Sequence, residues 1–141
     1  MSELIDALRD VADRGHALTA EVTLPLVLGI EAFGREAYAE VIDHIEPIFD
    51  DLVRINGSQA QRLVFEETLL RAYMLTGRYE KAEAMLRARL EHKHSGRDFF
   101  WLAEADSSRG LVDAAATNRL TAQAMWTDAD KSAPELVQTR A

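Results

Sequence analysis

Apolar side chains recur along this chain at intervals of three and four, and no stretch alternates apolar with polar residues for long, which is the pattern of helices and not of strands. Leu4, Leu8, Val11 and Ala12 predict a first helix over residues 2–15, with Ser2 as its N-cap and Gly15 as its stop. Residues 16–23 read as a connection. Pro25 stands where the first turn of a helix tolerates a missing N–H, and Leu28, Ile30, Ala32 and Phe33 carry that short apolar helix to Gly34. A longer helix follows through Tyr38, Val41, Ile42, Ile45, Phe49, Leu52, Val53 and Ile55 to Asn56-Gly57. Pro47 lies inside it, removing one backbone bond and crowding the preceding turn, so the helix either kinks there or breaks into two pieces.

Ser58 offers an N-cap for a helix to about Thr76, with Phe65, Leu69, Ala72 and Tyr73 on one side and Gly77 beyond its end. In the next helix Tyr79, Ala82, Leu86 and Leu90 predict a core face, and Glu83, Arg87 and Glu91 a solvated, charge-paired one. Ser95-Gly96 breaks the pattern, Phe99, Leu102 and Ala103 resume it, and Gly110 separates that helix from an Ala-rich one over Val112 to Met125. After Trp126 the apolar signal fades, and 127–141 reads as a weakly structured tail.

Composition agrees with this all-α reading. The chain has 141 residues with 22 Ala, 17 Leu and only three Pro, and its length suits one domain, placed at 1–126, of six or seven helices. Twenty-four acidic against 16 basic side chains give a net charge of -8, so the dense Lys and Arg clusters that would release counterions from a nucleic acid are not expected. With no cysteine, disulfides, thiolate metal sites and cysteine nucleophiles are excluded, and a reducing compartment is suited. The first fourteen residues carry Glu3, Asp6, Arg9, Asp10, Asp13 and Arg14, unlike a cationic leader, and the most apolar run, Leu24 to Ile30, is far shorter than the roughly 20 residues of a membrane span. A soluble, cytoplasmic protein without a membrane partner is therefore expected.

Helices joined by single-glycine turns invite a search for repeats. Gly77-Arg78-Tyr79 with Ala82, and Gly110-Leu111-Val112 with Ala115, are offset by 33 residues. A helix-turn-helix unit of about 34 residues resembles the tetratricopeptide repeat, in which glycine makes the turn and a small residue lets the two helices approach. From Leu63, the positions Leu69, Tyr73, Gly77, Tyr79, Ala82 and Leu86 match the preferred types, while Leu70, Arg89 and His94 replace a small residue, Ala and Pro. From Gly96, the chain keeps Phe99, Leu102, Ala103, Gly110, Ala115 and Ala122 but has Asp106 and Arg119 where apolar residues are expected. A third unit upstream aligns Leu28, Gly29, Tyr38, Val41 and Ile45, with Glu36 in place of the turn glycine and an offset of 41 to the next unit. The expected repeats span about 22–57, 63–96 and 96–126.

More narrowly, the stretch from about Pro25 to Leu102 resembles the C-terminal region of the tetratricopeptide repeat protein 38 family. The residues that carry this are Ala32-Phe33-Gly34-Arg35, the run from Leu52 through Asn56-Gly57-Ser58 to Arg62, then Phe65-Glu66, Thr68-Leu69, Gly77-Arg78 and Ala82. Gln59 and Leu63 stand where that family's pattern has His and an acidic residue. The resemblance implies a helical repeat fold and supplies no mechanism.

Candidate chemistry is sparse. His92 and His94 are alternate residues, which on a helix point about 200° apart, so a polar helix end is favoured over a metal site. Ser58 lacks a glycine-rich elbow and reads as a cap, and the lone glycines lack the spacing of a phosphate loop. Adjacent carboxylates such as Glu66-Glu67 and Asp50-Asp51 diverge by about 100° on a helix and read as solvated faces. Trp101, beside Phe99 and Phe100, reads as packing between repeats.

The expectation is thus a non-catalytic interaction or scaffold module without a cofactor or metal, binding a peptide, a helix or a second copy of itself. Stacked helix pairs present the first helix of each pair on a concave side. That register gives Leu26, Ile30 and Phe33, then Val64, Glu67, Arg71 and Met74, then Arg97, Phe100 and Glu104 as candidate partner-binding residues. The alternative is an enzyme or small-ligand binder with a pocket at the Asn56–Gln61 loop, using Arg54, Ser58 and Gln61.

Overall fold

The computed structural model describes residues 1–55 and 57–132. Every regular element among them is helical. In chain order they are α1 (Ser2–Asp13), a π-helical turn (Thr19–Thr23), α2 (Leu24–Gly34), α3 (Tyr38–Ile45), a 3-10 helix (Glu46–Ile55), α4 (Gln59–Leu75), α5 (Tyr79–His92), α6 (Gly96–Ser108) and α7 (Val112–Ser132). No helix among the described residues is long and apolar enough to cross a membrane.

Four local features differ from the sequence expectation. Ser2 is the first helical residue of α1 and Met1 its N-cap. Residues 16–23 are not a plain connection, because helix begins at Ala17 and runs through the π-turn directly into α2. Leu24 N–H bonds the carbonyl of Thr19, five residues back, and this wider turn lies beside Pro25, whose ring would crowd a regular one. Pro47 neither bends an α-helix nor opens a gap: α3 stops at Ile45 and ten residues of tighter 3-10 helix continue, burying Ile48 and Leu52. Finally, α7 extends to Ser132, so 127–132 of the expected tail is helical; Asn56 and the remainder of that tail, 133–141, lie outside the described residues.

The chain divides into two compact units, Met1–Gly77 and Arg78–Ala141. In the first, α2 packs on α3, α3 on α4, and α1 on α2 and the π-turn. In the second, α5 packs on α6 and α6 on α7.

The turns that close successive helices repeat one backbone design. Glu36, Gly77 and Gly110 all adopt positive φ, at 61°, 73° and 77°. Ala37 N–H reaches back to the carbonyl of Ala32 at 2.9 Å, and Leu111 N–H to that of Asp106 at 2.9 Å, the six-to-one bond of a Schellman cap. Ala37 and Arg78, which precede the next helices, share φ -85° with ψ of 63° and 55°. Glu36 thus holds, without being glycine, the left-handed conformation that glycine supplies at the other two sites.

Burial follows the same register. Gly29, Leu70 and Ala103 are buried, as are Ala32, Tyr73 and Asp106 three residues on, and Val41, Ala82 and Ala115 in the following helices. The small residues matter where helices come closest: a Cβ on Gly29 would overlap Cγ1 of Ile45 and stand 2.8 Å from its Cδ1, so α2 and α3 meet there with no room for a side chain.

Candidate functional site

The candidate partner-binding residues fall into three environments. On α2, Leu26 belongs to the core at 4% exposure and is out of a partner's reach, while Ile30 and Phe33 are half-buried and Phe33 meets Tyr38 edge-on. On α4, Val64 is 61% exposed and Arg71 is exposed, with Glu67 and Met74 half-buried beside them. On α6, Arg97 is exposed. Phe100 meets Trp101 edge-on and Trp126 at a tilt, at centroid distances of 5.5 and 6.0 Å, and Glu104 accepts from Arg119 at 2.9 Å. The accessible part of the set is therefore Val64 and Arg71 on one unit and Arg97 on the other, flanked by half-buried carboxylates and apolar groups.

Residues of the alternative pocket are engaged with one another or with neighbours. Arg54 donates to Glu21 at 2.8 Å and to Asp51 at 3.4 Å, tying the 3-10 helix to the π-turn. Ser58 and Gln61 form a reciprocal capping box at the start of α4: Gln61 N–H donates to Ser58 Oγ at 3.2 Å, and Ser58 N–H to Gln61 Oε1 at 2.9 Å. The motif Ser-x-x-Gln is readable in the sequence and accounts for both side chains.

A cavity that sequence reasoning missed lies inside the first unit. It is an open cleft of about 390 Å³ between α1, α2 and α3, with Ile5 and Leu28 as its apolar lining. Arg35 crosses its wall, donating through Nε to Glu31 at 2.7 Å and through Nη2 to Glu40 at 2.9 Å. These bonds raise the guanidinium's pKa and hold the Glu31 carboxyl below its ordinary range, with His44 adding a smaller attraction. Asp6, Arg9 and His44 complete the polar rim. The only signal in the sequence is the i,i+4 spacing of Glu31 and Arg35; bringing α1 to them requires the helical path through residues 17–23 that the sequence did not reveal.

In the second unit the polar core is made by Arg89, whose Nη2 donates to buried Asp98 at 2.9 Å, and by Asn118, which donates to fully buried Asp106 at 2.8 Å. Both couple neighbouring helices. Among the described residues no three His, Asp or Glu side chains are grouped as a metal ion would require. Solved structures and family models were both compared with the chain, and none of either matches.

Proposed function

We propose that this chain is a non-catalytic protein-interaction module with a tetratricopeptide-like antiparallel helix array. The observation that carries the reading is the common register: three positive-φ turns at Glu36, Gly77 and Gly110, each with buried residues at the same offsets before and after it. The hairpins α2–α3 and α6–α7, each inside one unit, repeat that register. Repeats of this kind act through side chains presented on their first helices, and the accessible ones here are Val64 and Arg71 on α4 and Arg97 on α6. On each of these faces apolar burial would supply affinity and the guanidinium group orientation. A chain without cysteine suits a reducing compartment, and our reading puts it in the cytoplasm.

The test is a peptide library passed over immobilised protein, comparing wild type with Arg71→Ala/Arg97→Ala. The reading expects retained peptides to bind the double variant at least about tenfold more weakly, each lost charge-assisted contact being worth about 1.5–3 kcal/mol, with unchanged helicity. Equal retention by both proteins would overturn the proposed faces.

A further inference from the structure

We draw no further inference here: the strongest candidate, the open cleft between α1, α2 and α3, is rimmed by the Glu31 and Glu40 carboxylates that Arg35 already bonds, and nothing in the structure shows what would fill it.

Discussion

Asn118 of α7 donates to Oδ2 of Asp106 in α6 at 2.8 Å, and among the described residues no other group donates to either oxygen of that fully buried carboxylate. Asp106 stands four residues before the positive-φ turn at Gly110, as Ala32 and Tyr73 stand before those at Glu36 and Gly77, so a position that is otherwise buried in α2 and α4 without a charge holds an acid with a polar partner from the next helix. Removing one member of such a pair strands the other, whereas removing the buried member leaves half-buried Asn118 able to turn to water. Asn118→Ala should therefore cost about 1–3 kcal/mol in urea denaturation. Asp106→Leu should cost less than Asn118→Ala, and the reverse order would show that the pair is a net source of stability.

The Gly29 approach gives a second prediction. Ile45 is fully buried and has nowhere to retreat, so Gly29→Ala should destabilise the first unit by about 1–3 kcal/mol through overpacking. Gly29→Ala/Ile45→Val should recover part of that loss in thermal melts. A double variant no more stable than the single one would place the strain elsewhere.

Glu36 should be replaceable with profit. A non-glycine residue at φ 61° carries a steric penalty of about 1–2 kcal/mol, partly offset because glycine has more freedom to lose on folding. Glu36→Gly is expected to raise stability by about 0.5–1 kcal/mol, and Gly110→Ala at the matching turn to lower it by a similar amount. Opposite signs at equivalent turns would be read directly from denaturant midpoints.

In the cleft, the hydrogen bond from Arg35 to Glu31 sets the direction of a pH effect. The donating guanidinium keeps the Glu31 carboxylate ionised below the ordinary 4.5, so the contribution to stability is present above that value and is lost as pH falls through the lower folded one. Carbon-detected titration of the side-chain carboxyls should give Glu31 a midpoint below 4.5, and Arg35→Ala should move it upward. No movement would mean that the bond does not persist in solution.

Helix number and type, the turns at Gly77 and Gly110 and the buried Ala82, Leu86, Leu102, Ala115 and Ala122 were legible in the sequence, because helical spacing and glycine report on short-range geometry. The turn at Glu36 was legible only by alignment, since nothing in a glutamate announces positive φ. The π-turn and the 3-10 helix were not, because both are responses to a proline by turns whose residues look like ordinary helix. Register alone places Leu26 on a binding face, yet it belongs to the core, since the register does not tell which side chains a neighbouring helix will cover. Asp106 likewise looked like a defect in the repeat; its partner is twelve residues away on another helix, beyond the reach of local pattern. The cleft depends on α1 folding against α2 and α3, a tertiary contact with no local signature.

The central claim is that this protein binds other chains through the exposed faces of α4 and α6. The measurement that tests it most directly is amide chemical-shift mapping of the labelled protein titrated with a retained peptide. The account predicts shifts centred on Val64, Arg71 and Arg97, with the cleft residues Arg9, Glu31 and His44 unmoved. Shifts confined to Arg9, Glu31 and His44 would contradict it and point to the α1–α2–α3 cleft as the site of binding.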